Sequence, residues 1–357
     1  MNSTLQLILS IPPSRWCEAY FVILGSGCLA LQVMPADLRD ALLGYGARRT
    51  SGNADEKGGK TAPTASESQG RGRHWLVDVL GKLYLLYEVP HAWFRHFYIA
   101  LLVFLLFWAG EFLLEGRAMR AIAETEARLN PPSGGDGDEA KTMDAARVVA
   151  IWGMLIFHAA RRAWECFYVM KPSRSPMLGI HWAMSIAFYF VLSVSFWIHA
   201  SGKGGGSIPW KDHAKSCLLR YAKHFSKAII AEGSLVFLEG EVDNAFQLFS
   251  LVSVFYAASM TQSVCHLRLA GLRKYSLPQE GLFRHLVCPH YTMECIIYLV
   301  LALVAAPRGQ TLNRTMGASL YFVVANLGVT AHATQVWYAE KFGADKVPRW
   351  KMVPFVF

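Results

Sequence analysis

Charged residues are scarce in this chain. Only 17% of its 357 residues are Asp, Glu, Lys or Arg, whereas 53% are hydrophobic. A soluble domain usually carries about 25% charged residues, so this balance favours a membrane protein. Apolar stretches close to the roughly 20 residues that cross a bilayer recur near 17–34, 95–114, 146–169, 179–199, 244–266, 290–307 and 315–338. We predict an all-α integral membrane fold of about seven transmembrane helices, in a single domain over residues 1–357.

Disulfide and metal patterns are also missing. The seven cysteines form no CxxC pair and show no His/Cys spacing of the kind that holds zinc, so we predict reduced thiols and no metal site. Nucleic acid is not expected as a partner, because the Lys and Arg residues behind the net charge of +9 are scattered through loops and helix ends. No small-residue cleavage site follows the first apolar stretch, which predicts a retained helix. Sequons at Asn2 and Asn313 lie so close to predicted membrane segments that glycosylation is not expected.

Polar segments interrupt the apolar pattern. Residues 46–73 and 130–141 are rich in Gly, Pro, Ser and charge, which predicts flexible loops. The stretch SGKGGGS at 201–207 lacks the strand and the spacing of a phosphate-binding loop, so we interpret it as a linker. An odd number of spans and the positive-inside tendency favour a cytosolic C-terminus. The basic residues between 203 and 227 oppose that orientation, unless they belong to an interfacial amphipathic helix near 214–232.

The segment FHAARRAWECFYV carries four ionisable residues inside a predicted span. His158, Arg161, Arg162 and Glu165 follow the spacing i, i+3, i+4 and i+7, so they project from one helix face. An ionisable side chain at mid-bilayer costs at least ~2.5 kcal/mol, so such residues are expected to face the bundle interior or a water-filled cavity. Two interpretations stay open: a binding cavity, or an interhelical salt-bridge cluster near the helix end.

A second polar stripe lies in TQSVCHLRLAGLRKY. Gln262, His266 and Arg273 share a helix face at i, i+4 and i+11, and Lys274 follows at the predicted cytosolic mouth. Arginine and lysine there suit a phosphorylated ligand. The alternative is that these basic residues are ordinary topology determinants or lipid headgroup contacts.

Two shorter patterns complete the set. In VCPHYTMECIIY, a proline suited to a helix start precedes His290 and Glu294, which align at i and i+4. In YEVPHAWFRHFY, Glu88 precedes a proline and an aromatic-rich helix start. Glu88 is either a site residue or a capping carboxylate within an interfacial aromatic belt.

Several separate motifs together resemble the steroid 5α-reductase family, most closely its polyprenol (polyprenal) reductase branch. They occur in the family's order from about Tyr87 to Phe357 and read WFRHFY, RRAWECFYV, QSVCHLRLAGLRK, SLPQEGLFRHLVCPHYTMECIIY and PRWKMVPFVF. The resemblance implies a seven-helix protein of the endoplasmic reticulum membrane whose helices enclose a cavity for NADPH and a lipid, with the cofactor in the part from 244 to 357. It further implies reduction of a carbon–carbon double bond conjugated to a carbonyl, which in this branch serves dolichol synthesis for protein N-glycosylation.

Carried over position by position, the resemblance assigns Glu88 to the substrate carbonyl. With Lys274 added as a neighbour, it assigns to NADPH the side chains of Gln262, His266, Arg273, Lys274, His290, Glu294 and Tyr338. The chain departs from the family at Ala159, which aligns with the tyrosine that pairs with the acid in steroid reductases. Glu165 or His158 could supply the missing donor. Gln335 and Val336 stand where the family often has His-Arg.

Chemistry narrows the substrate. A hydride can add to an alkene β-carbon only if the developing charge has a sink, and a neighbouring carbonyl provides one as an enolate. An allylic alcohol provides none, so we favour a long-chain polyprenal over the polyprenol. Glu88, Glu165 or His158, in protonated form, would donate to the aldehyde oxygen, unless Arg161 and Arg162 hold Glu165 ionised.

Three other functions compete with this prediction. The same fold could reduce a steroid or an enoyl thioester. A lipid transporter or scramblase would use the polar stripes as a translocation path, but no inverted repeat is evident. A structural membrane subunit would use them as packing networks. No obligate protein partner is evident from the sequence.

Overall fold

A computed structural model describes residues 10–34, 88–131, 143, 145–171, 176–200, 239–273 and 276–357. Several predictions lie outside these residues. They are the loop at 46–73, most of the loop at 130–141, the linker at 201–207, the helix near 214–232, the sequon at Asn2, and Lys274.

The described residues form eight α-helices and one short antiparallel ribbon. The helices are α1 (Pro13–Ala30), α2 (Arg95–Leu113), α3 (Arg117–Leu129), α4 (Ala145–Trp164), α5 (Gly179–Ser195), α6 (Glu239–Gly271), α7 (Pro289–Val304) and α8 (Arg314–Phe342). The ribbon pairs β1 (Glu88–Pro90) with β2 (Pro176–Leu178). Each of the seven predicted apolar stretches coincides with a helix, and the all-α membrane fold is confirmed.

The described helices differ in whether they are long and apolar enough to cross a membrane. Among the described residues, five segments are long and apolar enough to cross a membrane: Pro13–Val33, His91–Leu113, Gly179–Ala200, Phe246–Gly271 and Arg314–Phe342. Helix α7 is apolar but has only 16 residues, and α4 carries Arg147, Arg161 and Arg162. Seven spans therefore stay a prediction.

Packing places α4 between the other elements of the site. Helix α1 packs along α8, α6 packs along α7, and α7 also contacts α8. Helix α2 packs against both α5 and α4, while α4 contacts α6 and α7. Side chains of α4 can therefore meet those of α2 on one side and those of α6 and α7 on the other.

The end of α4 departs from regular helix geometry. Residues Glu165–Val169 form a π-helical turn, in which the backbone N–H of Met170 donates to the carbonyl of Glu165 at 2.8 Å. Such wide turns are rare and are frequent at functional sites. Here the turn begins at the one carboxylate of the predicted α4 stripe.

Neither the ribbon nor α3 follows from the apolar pattern. The ribbon joins the segments before α2 and α5, with Glu88 opposite Leu178. Helix α3 buries Met119 and turns the carboxylate of Glu126 inward. That carboxylate accepts hydrogen bonds from the backbone N–H (2.9 Å) and the hydroxyl (2.7 Å) of Ser14, and so caps the first turn of α1.

Asn313 begins α8 as its N-cap. Its side-chain oxygen accepts from the N–H of Met316 at 3.0 Å and the hydroxyl of Thr315 at 2.8 Å, and its amide nitrogen donates to the carbonyl of Ala305 at 2.9 Å. The residue is fully buried. Because glycosylation would require this amide nitrogen, the geometry disfavours modification of Asn313.

Candidate active site

Glu165 is the centre of a buried cluster of charges. Its side chain is 0% exposed, and both of its carboxylate oxygens accept hydrogen bonds. Arg161 donates to Oε1 at 2.5 Å, and Arg162 donates to Oε2. The two arginines lie four and three residues before Glu165, so helical geometry brings all three together. This arrangement makes Glu165 an acceptor and a counter-ion rather than a free acid.

Helix α6 adds a histidine to this cluster. Nδ1 of His266 lies 2.7 Å from Glu165 Oε2 and 2.9 Å from Arg162 Nη1. With its proton on Nδ1, the imidazole donates to the carboxylate. The π-helical turn of α4 is thereby joined to α6.

Hydrogen bonds continue from α4 to α7 through an amide. Arg161 Nη2 donates to Gln262 Oε1 at 2.5 Å, and Gln262 Nε2 donates to a carboxylate oxygen of Glu294. The same amide nitrogen lies 3.2 Å from the carbonyl oxygen of His290. His158 Nε2 stands 3.6 Å from the other oxygen of Glu294. The predicted stripes of three helices therefore meet.

We call these side chains the buried polar network: His158, Arg161, Arg162, Glu165, Gln262, His266 and Glu294. Two guanidinium groups face two carboxylates, so the network is neutral when its histidines are neutral. Buried charges are tolerated when they are paired and hydrogen-bonded in this way. The pairing explains how the apolar bundle accommodates four ionised groups.

Tyr98 of α2 also contacts the network, through Arg162. Arg162 Nε donates to its hydroxyl oxygen at 3.1 Å, and the guanidinium carbon stands 4.9 Å from the centre of its ring. No sequence prediction included Tyr98, although it ends the motif YEVPHAWFRHFY that contains Glu88. The signal that could have identified it is a phenol as the fourth residue of the helix, where an apolar run begins.

Three buried nitrogens at this site have no hydrogen-bond partner among the described residues: His158 Nε2, Arg161 Nε and His290 Nδ1. The His290 ring lies beside those of His266 (5.5 Å) and Tyr291 (4.3 Å). An unpartnered buried polar atom costs about 1–3 kcal/mol, so a polar ligand would relieve these sites. Imidazole, guanidinium and amide groups suit the carboxamide and phosphates of a nicotinamide dinucleotide.

Arg273 and Tyr338, two other predicted site residues, lie apart from the network in the described contacts. Arg273 is exposed just beyond the end of α6, where its carbonyl accepts from the Ser276 hydroxyl at 2.7 Å. Tyr338 packs against a hydrophobic cluster built around Val287, Cys288, Ala331 and Met352. Glu88 lies in β1, but its side chain is outside the described part of the structure, as is Lys274.

The C-terminal segment borders the site. Backbone N–H groups of Val287 and Cys288 donate to the carbonyls of Trp350 and Lys351, each at 2.9 Å. Gln335 donates to the carbonyl oxygens of Pro348 (2.9 Å) and Arg349 (3.0 Å). Gln335, which replaces a histidine frequent in the resembled family, thus holds the segment that flanks the start of α7.

Comparison with known proteins agrees with the motifs. Residues 219–357 match the family model described as 3-oxo-5-alpha-steroid 4-dehydrogenase. The C-terminal part of the chain is therefore similar to the steroid 5α-reductase family. The matched residues include α6, α7 and α8, and therefore Gln262, His266 and Glu294 of the network, whereas α4 lies outside them.

The curated relatives that the chain matches are named polyprenal reductase. The polyprenal reductase of Saccharomyces cerevisiae is 28% identical over 207 residues, which cover 58% of this chain and 63% of that protein. The polyprenal reductase of Drosophila melanogaster is 24% identical over 302 residues, 80% of this chain and 82% of the relative. The polyprenal reductase of Xenopus tropicalis is 23% identical over 232 residues, which cover 62% of this chain and 65% of that protein. The chain thus spans just under two thirds of the length of the yeast and frog relatives.

Proposed function

We propose that this protein is an oxidoreductase that reduces the α-isoprene double bond of a long-chain polyprenal, giving dolichal for dolichol synthesis and protein N-glycosylation. NADPH, when bound, supplies the hydride. The observation that carries the proposal is the buried polar network, which joins three helices in a chain whose curated relatives are named polyprenal reductase. The proposed location is the endoplasmic reticulum membrane, with a cytosolic C-terminus.

We assign the cofactor to the side of the network formed by α6 and α7. Gln262, His266, His290 and Glu294 would hold its nicotinamide end, because their amide, imidazole and carboxylate groups offer both donors and acceptors. Arg273, Lys274 and Tyr338 would contact the rest of the molecule. The exposure of Arg273 at the end of α6 suits contact with phosphate oxygens. The C-terminal part of the single domain, residues 244–357, would thus be the cofactor-binding part.

The three candidate acids have different surroundings. Glu165 is bonded to Arg161, Arg162 and His266, so its proposed role is to hold the guanidinium groups in place. His158 is buried, and its Nε2 faces a Glu294 carboxylate oxygen at 3.6 Å without a hydrogen bond, so it can position a ligand or transfer a proton. Glu88 is proposed to face the substrate, on the strength of the motif alone.

The aldehyde is the favoured substrate for an electronic reason. Hydride addition at the β-carbon leaves an electron pair that a conjugated carbonyl accepts as an enolate, which an allylic alcohol cannot form. Donors fixed beside the carbonyl oxygen stabilise that enolate most in a site from which water is excluded. The network provides such fixed, buried groups.

The test is to incubate the purified protein in detergent with NADPH and, separately, with polyprenal and polyprenol. Loss of NADPH absorbance and a product heavier by two hydrogens with the aldehyde alone would support the proposal. Reduction of the alcohol alone would refute the electronic reasoning but retain the reductase. A steroid enone and an enoyl thioester in the same assay test the other enone substrates. Absence of NADPH binding would favour a lipid transporter or a structural role.

A further inference from the structure

Tyr98 has a buried hydroxyl group whose oxygen accepts a hydrogen bond from an arginine. The residue is only 5% exposed, and its oxygen accepts a hydrogen bond from Arg162 Nε at 3.1 Å. A phenol can accept and donate at the same time. Because the arginine uses a lone pair of the oxygen, the hydroxyl proton remains available to another acceptor.

The arginine that contacts Tyr98 is held firmly. Its Nη1 donates to Glu165, and its guanidinium stands 4.9 Å from the centre of the Tyr98 ring. A cation bonded to a phenol oxygen makes the phenol a stronger hydrogen-bond donor, since it withdraws electron density from the oxygen. A donor fixed in this way requires little reorganisation when charge develops on its partner.

Tyr98 lies where the buried polar network meets an aromatic region. Its ring centre is 6.4 Å from that of His158 on the polar side, 5.7 Å from that of Tyr189 and 5.8 Å from that of Phe94. Apolar and aromatic surface suits the isoprenoid end of an aldehyde, whereas the network suits a polar reactant. The hydroxyl therefore stands at the boundary between the two.

A buried position on α4 near Arg162 carries no polar group. Ala159 is fully buried and lies three residues before Arg162, on the same helix face. The resemblance to steroid reductases puts a tyrosine at this position, but alanine carries no donor. The phenol of Tyr98 reaches the Arg162 side of this face from α2.

We propose that Tyr98 is a catalytic residue whose hydroxyl donates a hydrogen bond to the aldehyde oxygen of the substrate. This inference rests on the proposed function. As the hydride forms a bond to the β-carbon, the alkene π electron pair forms a double bond between the α-carbon and the carbonyl carbon. The carbonyl π electron pair then moves onto the oxygen, where the Tyr98 hydroxyl stabilises the resulting enolate. A proton derived from solvent then bonds to the α-carbon and the carbonyl re-forms. NADPH is oxidised, the alkene is reduced, and Tyr98 keeps its proton.

The first test measures the contact without turnover. The protein is loaded with NADP+, which cannot donate hydride, and citral labelled with ¹³C at its carbonyl is added as a short conjugated isoprenoid aldehyde. Infrared difference spectra then report the carbonyl stretching frequency. We expect a lower frequency in the wild type than in detergent alone, and loss of this lowering in Tyr98→Phe. Tyr189→Phe, which removes the hydroxyl of a neighbouring buried tyrosine, should retain the lowered carbonyl frequency.

A fluorinated residue provides a second readout. Replacing Tyr98 with 3-fluorotyrosine keeps the ring and strengthens the donor, so the bound carbonyl frequency should fall further. This also keeps the test decisive if Tyr98→Phe does not fold. The proposal is overturned if the wild type shows no lowering, if Tyr98→Phe retains it, or if Tyr189→Phe abolishes it instead.

Kinetics separate this inference from the proposed function. With polyprenal, Tyr98→Phe should lower kcat by about 10²–10³-fold, the loss typical of removing one oxyanion donor, with KM for NADPH within about twofold of wild type. If wild type reduces polyprenal and Tyr98→Phe has an unchanged kcat and carbonyl shift, the role of Tyr98 is refuted and the function stands. If wild type does not reduce polyprenal although the shift depends on Tyr98, the function is refuted and the carbonyl contact stands.

Discussion

Replacing Glu165 with glutamine should strongly destabilise the fold, because the substitution removes one charge from a balanced buried set. Glu165 is 0% exposed and accepts from Arg161, Arg162 and His266, so the variant leaves two buried guanidinium groups with only Glu294 as a counter-charge. With its histidines neutral, the network changes from a net charge of zero to a net charge of about +1. Breaking a buried ion pair by removing one partner costs about 3–5 kcal/mol.

The assay is equilibrium unfolding in mixed micelles, with SDS as the denaturant and helical circular dichroism as the signal. Glu18→Gln is the matched control, because Glu18 pairs with Arg15 at 2.7 Å where the arginine is 45% exposed. Such a surface pair contributes about 0–1 kcal/mol. The double variant Glu165→Gln with Arg161→Gln restores neutrality and should recover part of the loss.

Two results would refute this reasoning. The first is a free energy of unfolding for Glu165→Gln within about 1 kcal/mol of the wild type, the range expected for a surface pair. The second is a loss in the double variant equal to the sum of the two single losses, which would mean that Glu165 and Arg161 are not energetically coupled. Either result would show that the network is solvated or that its charges are compensated in another way.

Three further predictions concern separate parts of the structure. Arg273→Ala should raise KM for NADPH and leave KM for polyprenal unchanged. Arg117 is also an exposed arginine, so Arg117→Ala serves as the control and should change neither KM value. An unchanged KM for NADPH in Arg273→Ala would exclude the phosphate contact. Glu88→Gln should slow reduction while NADPH binding, measured by tryptophan fluorescence, is retained; normal turnover would remove Glu88 from the site. Asn313→Ala should lower the free energy of unfolding by about 1–2 kcal/mol, since it removes the cap of α8. Asn326 is exposed, so Asn326→Ala should have little effect on the free energy of unfolding. Equal losses in the two variants would contradict the capping role.

The sequence predicted the helices well because their signal is local. An apolar stretch of bilayer length needs no knowledge of its neighbours, and each predicted stretch became a helix. The i, i+3, i+4 and i+7 spacing likewise placed His158, Arg161, Arg162 and Glu165 on one face, and the structure shows them hydrogen-bonded to each other and to α6.

Features that depend on distant partners could not be predicted in the same way. The sequence left the role of Glu165 open, and only the positions of both arginines and His266 show that its two oxygens are engaged. Tyr98 reads as an ordinary aromatic residue until Arg162 is placed beside it. The cap that Glu126 provides for α1 joins residues 112 positions apart, which no helical period encodes.

The contacts between the C-terminal segment and the start of α7 have a consequence for biosynthesis. Val287 and Cys288 donate to Trp350 and Lys351, and the Thr292 hydroxyl donates to the Met352 carbonyl at 2.5 Å. These acceptors leave the ribosome after every helix described here has been synthesised. A nascent chain could therefore insert all of its helices and still lack the backbone partners that hold α7 beside the network. A premature stop codon before Trp350 would yield a protein whose helices are inserted in the membrane but whose helix α7 lacks the backbone acceptors that hold it beside the network.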